Sequence, residues 1–576
     1  MKRKILIISV VLVLMVAMVA LCACSSISEI LDTVKNSTPT DTTTPGDTTV
    51  PDATTNTGSS EQAVTDDSIT ATETTETFSI TTEDGTYSQE GTVYTITAAG
   101  TYVLSGYLNG QILVDADDAE VVLELSGVTI ENSTDSPIKI VAADSVDISA
   151  KKNTENVIKD TRANKTVDTD TLGEGAIYSK ADLKIKGTGV LVITATYNNG
   201  IHCTKDLTIQ KLSLKVTAYN NAIKGNDSVK ITSGTIVAIS TNKDGIKSEN
   251  TDANKKGVTR GDITITGSAS VTVYAAGDGI QAAHNFTMSE DEEGNSPYIT
   301  IYTGSYSGYT ASNASVDSYK GVKVENILTI SGGTIDIKSY DDGLHANYGT
   351  AFDSGETGVG TINIVGGAVN IIVYSPTTQT QGGRMGPGGR PGSWGGQQAV
   401  SGADAIHADY TLNIAGGIIN IDSSYEGLEA NIINISGGTS YVKANDDGVN
   451  AKSGIATPQV NITGGYLDVT VSPNGDTDGI DSNGTYTQSG GIVITRGPNS
   501  EMSAALDADG TKTITGGTLI MLGYGNVSRG SGVSTYSLSL NSTGNHTITI
   551  DGTQYTFNNS YSYGRTTVYS SVSVSA

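Results

Sequence analysis

Between residues 229 and 521 apolar and polar positions alternate with a period of two, and glycine interrupts the alternation at recurring points. Such a pattern predicts short strands that bury every second side chain. One phrase is a strand, a glycine turn and a second strand, found at residues 229–240 (VKITSGTIVAIS), 263–274, 328–337, 362–371 (INIVGGAVNI), 412–421 (LNIAGGIINI), 433–442, 460–469 and 513–521. A second phrase is an acid or amide, a glycine or alanine, an aliphatic residue and a polar residue. It begins at Asn199-Gly200-Ile201-His202 and recurs as far as Asp478-Gly479-Ile480-Asp481.

Copies of the second phrase lie 22 or 23 residues apart from Gly200 to Gly245, 22 from Gly321 to Gly343, and 22 then 21 from Ala405 to Gly448. A period of about 22 residues suits three strands and three turns, one coil of a three-sided parallel β-helix. The crossover preference of parallel strands makes it right-handed. The expected fold is therefore all-β: a right-handed three-sided parallel β-helix over residues 80–525 with N- and C-terminal caps, the latter at 526–576, because a bare end coil presents unpaired strand edges. In each second phrase the aliphatic residue is expected to point inward and stack on the next coil, with its neighbours facing out.

Composition removes the helical alternatives: the chain has 68 Gly, four Phe and one Trp. The first residues set the address. Lys2, Arg3 and Lys4 precede an apolar run, and Leu21-Cys22-Ala23-Cys24 reads as a lipobox, so residues 1–23 are expected to be a lipoprotein signal peptide and Cys24 the lipidated residue. An uncleaved membrane anchor is the alternative. Residues 24–79 form a Thr/Pro-rich linker that buries too little to fold. The rest of the chain is expected outside the cell, at its surface, as a monomer. After processing only Cys203 remains besides Cys24, which excludes internal disulfides and cysteine-based metal sites.

A net charge of −27 makes nucleic acid an unfit partner and cations fit ones. Stacked coils place equivalent residues about 4.8 Å apart, and the position before the glycine carries Asp342, Asp404, Glu426, Asp447 and Asp478, with Asp341, Glu429, Asp446 and Asp481 beside it. Like charges in such a ladder repel by about 1 kcal/mol per pair even in water. Calcium, which takes six to eight oxygens, is the expected cofactor, with Asp341, Asp342, Glu426, Glu429, Asp446, Asp447, Asp478 and Asp481 as ligands. Asp-Gly is equally a tight-turn dipeptide in which the acid bonds its own backbone and glycine takes positive φ. The doublets Asp341-Asp342 and Asp446-Asp447 exceed what a turn requires.

Two residues beyond the glycine lies another row: His202, Lys224, Lys247, Gln281, Lys323, His345, His407, Glu429, Asn450 and Asp481. A lysine beside calcium could take the C5 proton of a uronate, as a lyase would require, and Lys224, Lys247 and Lys323 are the candidates. The alternative is a row of solvated polar groups in which lysine screens aspartate. The 27 Tyr offer rings with a wet edge. His345, His407 and Trp394, the last within the Gly-rich insertion 379–398, are candidate sugar contacts.

The phrases AIHA, YEGLEA, DDGVNA and DGIDS within residues 401–484 resemble the clostridial family of carbohydrate-binding domain proteins, and the likeness extends over roughly residues 80–525. The resemblance implies a cell-surface β-helix similar in fold to polysaccharide lyases of family nine, binding cellulose and polygalacturonate and holding calcium at Asp342, Glu426, Asp447, Asp478 and Asp481. Ala222 and Ala405 replace the turn glycine and Lys320 stands where the pattern has an acid, so ligand roles do not carry over to those coils. The expected function is calcium-dependent binding of cellulose or pectin-type polyuronates. A calcium-dependent lyase and a structural adhesin are the alternatives.

Overall fold

The structure is a computed structural model that describes residues 66–163, 172–308, 318–374 and 402–576. The chain divides into two units, Met1–Ser60 and Glu61–Ala576. The expected signal peptide with Cys24, the expected linker up to residue 65, Trp394 and the insertion 379–398 lie outside the described residues.

The described chain is all-β, as the alternation predicts. A single 43-stranded sheet dominates it, and no α-helix occurs among the described residues. The strands fall into three parallel ladders, each strand pairing with its equivalent one repeat further on. The first ladder runs through Gly175–Ser179, Asn199–Cys203, Ile223–Gly225, Ile246–Lys247, Ile280–Ala282, Val322–Val324, Leu344–Ala346 and onward to Ile480–Ser482. The second contains Asp182–Gly187, Asp206–Gln210, Phe286–Ser289, Ile327–Ile330 and Thr361–Ile364. The third contains Val190–Ala195, Ser213–Ala218, Tyr298–Thr303, Thr334–Ser339, Ala368–Val373 and Ile418–Ser423.

The aliphatic residue of each second phrase forms one continuous stack. Ile201, Ile223, Ile246, Ile280, Val322, Leu344, Ile406, Leu428, Val449 and Ile480 pair in that order and are fully buried. Burying each such side chain contributes about 1.5–3 kcal/mol, so the register is fixed by the core: a one-residue slip would turn every one of them outward.

Glycine has two different uses. In the Gly-Gly turns joining the second ladder to the third, the second glycine is left-handed, as at Gly438 (φ 75) and Gly465 (φ 78). The glycine after the acid is not. Gly448 is absent from the positive-φ residues, yet a Cβ there would lie 2.1 Å from Val469 Cγ1 and 2.7 Å from the Gly479 carbonyl. The expectation of a positive-φ turn at Asp-Gly is thus corrected: what Gly448 supplies is the absence of a Cβ, not a left-handed backbone. Asparagines in the INI-type strands add a side-chain ladder on the second face, Asn413 donating to Asn363 (2.9 Å), Asn434 to Asn413 (2.9 Å) and Asn461 to Asn434 (3.0 Å).

Both ends turn antiparallel. Ser79–Thr81 pairs with Gly100–Asn109, and Tyr87–Glu90 with Val93–Ile96. At the other end Thr566–Ser570 covers the edge of Thr518–Leu522, and Gly544–Ile550 pairs with Thr553–Asn559. Antiparallel strands laid on a parallel edge satisfy its hydrogen bonds without extending the repeat.

Candidate functional site

In most copies of the second phrase the acid or amide has a role that spans coils. Its side-chain oxygen accepts the backbone N–H of the equivalent residue on the next coil. Asn221 N–H donates to Asn199 Oδ1 (3.1 Å), Asp244 to Asn221 (3.2 Å), Asp278 to Asp244 (3.1 Å), Lys320 to Asp278 (2.8 Å), Asp404 to Asp342 (2.9 Å), Glu426 to Asp404 (3.3 Å) and Asp478 to Asp447 (2.6 Å). In Asp244, Asp342 and Asp404 one oxygen is committed to this relay and the other meets the polar row, at Lys247, His345 and His407. That row pairs in register from His202 to Asp481 as its spacing predicts. It is not solvated along its length: His202, Lys224, His345, Glu429 and Asn450 are buried.

The lysine half of the row is closed by ion pairs. Lys224 pairs with Glu249, Lys247 with Asp244 (3.0 Å) and Lys323 with Glu325 (3.8 Å). Lys247 also meets Gln281 Oε1 at 2.7 Å. Its burial disfavours the charge, but Asp244 outweighs burial and holds its pKa above the usual lysine value. His202 moves the other way, down to about 4, through burial and the neighbouring Lys224. An ammonium held by a carboxylate is a weak general base near neutrality.

In the middle of the row cations and carboxylates interleave. Lys320 lies 2.9 Å from Asp341 and 2.6 Å from Asp342, so the residue that departs from the acidic pattern neutralises the first doublet. His345 Nδ1 lies 2.7 Å from Asp342 Oδ2, and its Nε2 lies 2.7 Å from Asn347 Oδ1. On the next coil His407 Nδ1 lies 2.9 Å from Asp404 Oδ2 and 3.3 Å from Glu429 Oε1, and Nε2 lies 3.3 Å from Asp409. The two rings are tilted by 32° to one another with centroids 4.5 Å apart. Burial opposes a charge on His407, but Asp404 and Asp409 overcome it and raise its pKa to about 10. Lys452 Nζ also sits 2.8 Å from His407 Nε2, which favours a neutral ring, yet three carboxylates against one ammonium decide for the imidazolium. Asp342 is held well below the usual range: burial raises it, and His345 and Lys320 more than offset that. Burial and the adjoining Glu429 push Glu426 up to about 11.

The C-terminal part of the row has no such counter-charges. Asp446, Asp447, Asp476, Asp478 and Asp481 gather on adjacent coils, and among the described residues none of them forms a salt bridge; the nearby Lys512 is paired with Asp507 at 2.7 Å. Burial, with the neighbouring carboxylates adding, pushes Asp447 up to about 8, Asp478 to about 7 and Asp481 to about 6. Asn450 stands between Glu429 and Asp481 in the row. Its amide nitrogen donates to Glu426 (2.9 Å), while its Oδ1 is buried without a hydrogen-bond partner at a residue 9% exposed. An orphaned carbonyl oxygen among carboxylates is a donor set suited to a hard cation. Neither Asn450 nor Asp476 was among the ligands expected from the sequence, although Asn450's place in the row was legible.

A separate groove of about 340 Å³ runs along the third ladder, lined by Tyr298, Tyr302, Asp336, Lys338, Asn370 and Asp422 among others. Tyr302 stacks on Tyr274 at 5.1 Å, and Asn370 donates to Asp336 at 2.7 Å. Flat rings beside amide and carboxylate groups are what a sugar ring requires. His345 and His407, by contrast, have both ring nitrogens engaged within the first ladder's row.

The family model described as "Carbohydrate-binding domain-containing protein" matches residues 90–363. A curated relative of that description from Acetivibrio thermocellus is 39% identical over 132 residues, which is 22% of this chain and 44% of the relative, so the chain spans less than half of that protein's length. A solved structure entitled polysaccharide lyase-like protein from C. thermocellum, gadolinium derivative, is 32% identical, covering 43% of this chain and 91% of that one with a TM-score of 0.36. The stretch that this family model matches, residues 90–363, carries the first-ladder stack from Ile138 to Leu344.

Proposed function

We propose that this chain is a calcium-dependent polysaccharide-binding lipoprotein of the cell surface, built as a right-handed three-sided parallel β-helix. The three ladders are its faces, and the crossover preference sets its hand. Calcium sits at the C-terminal part of the acidic row, held by Asp446, Asp447, Asp478 and Asp481 with Asn450 Oδ1. The ion stabilises the coils and presents an open coordination position to carboxylated sugars, which the bare acidic surface would repel. The third-ladder groove takes the neutral sugar faces of cellulose-type chains.

The observation that carries this reading is the gathering of Asp446, Asp447, Asp476, Asp478 and Asp481 without a salt bridge among the described residues, beside the orphaned Asn450 oxygen. Binding is favoured over lysis because Lys224, Lys247 and Lys323 are all paired with carboxylates. Retention on polygalacturonate and on cellulose, with and without chelator, tests it. Polyuronate retention is expected to need calcium and to be lost in Asp447→Asn, and cellulose retention to survive both. Equal polyuronate retention in chelator overturns the calcium bridge.

A further inference from the structure

We propose that Asp342, His345, Asp404, His407 and Glu429 form a binding site for a divalent transition cation of the zinc class, separate from the calcium cluster and independent of glycan binding. The donor chemistry differs from that of the C-terminal carboxylates. Imidazole and carboxylate together suit borderline metals such as zinc, whereas calcium takes oxygen alone. One donor atom each from Asp342, His345 and His407 lies within 4.8 Å of the other two, and the same holds for Asp404, His407 and Glu429. These two triads share His407 and are largely buried.

The surroundings match a metal-binding histidine pair. On each ring Nδ1 faces a carboxylate at 2.7 or 2.9 Å. The far nitrogen has its own acceptor, Asn347 Oδ1 at 2.7 Å for His345 and Asp409 at 3.3 Å for His407. With an ion on Nδ1 in place of its proton, acceptors in that outer position would hold the Nε2–H tautomer. Charge points the same way. Five carboxylates, Asp341, Asp342, Asp404, Asp409 and Glu429, face the two ammonium groups of Lys320 and Lys452, an excess of negative charge that a dication would offset. Lys452, which also pairs with Glu429, is the group that yields when the ion enters. Asp342 and Asp404 are 62 residues apart in sequence yet adjacent in the relay. An ion there would tie together the two coils separated by that excursion, where closing a long loop gains most.

The test uses the full chain stripped with chelator and titrated separately with zinc, cobalt(II) and calcium. Cobalt is expected to develop the visible ligand-field bands of a low-coordinate nitrogen–oxygen site in the parent protein, with no variant needed. His345→Gln and His407→Gln are expected to weaken zinc at least 10-fold, and Asp409→Asn by about 10–100-fold. All three keep calcium binding, and Asp447→Asn loses calcium while keeping zinc. A cobalt spectrum unchanged from the free ion, or zinc affinity unchanged in His407→Gln, overturns the site.

Discussion

Replacing Asp447 by alanine removes the acceptor of the Asp478 amide, a 2.6 Å bond between coils, whereas asparagine keeps an oxygen in that place and removes only the charge. The two substitutions therefore separate the relay from the electrostatics. Orphaning the amide costs about 1–2 kcal/mol, the lower part of the usual range, because the bond is part-buried. Asparagine at 447 instead relieves repulsion from Asp446, Asp478 and Asp481, about 1 kcal/mol for a pair 4 Å apart even at the dielectric of water. In chelator the expected order of stability is Asp447→Asn at or above the parent and Asp447→Ala below it. Calcium at 100 times its dissociation constant adds about 2.7 kcal/mol to the parent and little to either variant, so the parent moves to the top. Urea unfolding midpoints in chelator and in calcium read both orders. Asp447→Asn falling as low as Asp447→Ala in chelator, or a gap that calcium leaves unchanged, refutes the reasoning.

Gly448→Ala is expected to lose about 1–3 kcal/mol through overpacking, since its Cβ would sit 2.1 Å from Val469 Cγ1, and the unfolding midpoint checks it. His284 lies 2.8 Å from Asp262 and 3.2 Å from Glu356; its burial opposes the charge, but those carboxylates raise its folded pKa above 6.5. Its stabilisation is therefore complete below about pH 6.5 and lost as pH rises through the raised value, a slope that His284→Gln should flatten in pH-dependent melting. Tyr298→Ala and Tyr302→Ala each remove a ring from the third-ladder groove and are expected to cost roughly 1 kcal/mol of cellulose affinity without changing calcium binding, as adsorption isotherms would measure.

Much of the architecture was legible because the repeat is written in the residues themselves. The aliphatic stack from Ile201 to Ile480 and the polar row from His202 to Asp481 pair in the order their spacing predicts. The function of the acid before the glycine was not legible, because its partner, the amide of the next coil, lies 22 to 62 residues away and carries no sequence signature of its own. A local turn and an inter-coil relay both ask for Asp or Asn followed by a small residue. Only backbone conformation separates them. Lys320 reads in sequence as a break in the acidic pattern, and in space it is the counter-ion of Asp341 and Asp342. The groove was hidden for a related reason: Tyr298, Asp336, Asn370 and Asp422 come from four coils of unequal length, so no single phrase contains it.

Calcium bound per chain, measured by elemental analysis after chelator stripping and reloading of the full protein, bears most directly on the acidic cluster. The account predicts that the parent takes up calcium and that Asp447→Asn with Asp478→Asn abolishes the uptake together with retention on polygalacturonate. Equal calcium content in the parent and the double variant would contradict it.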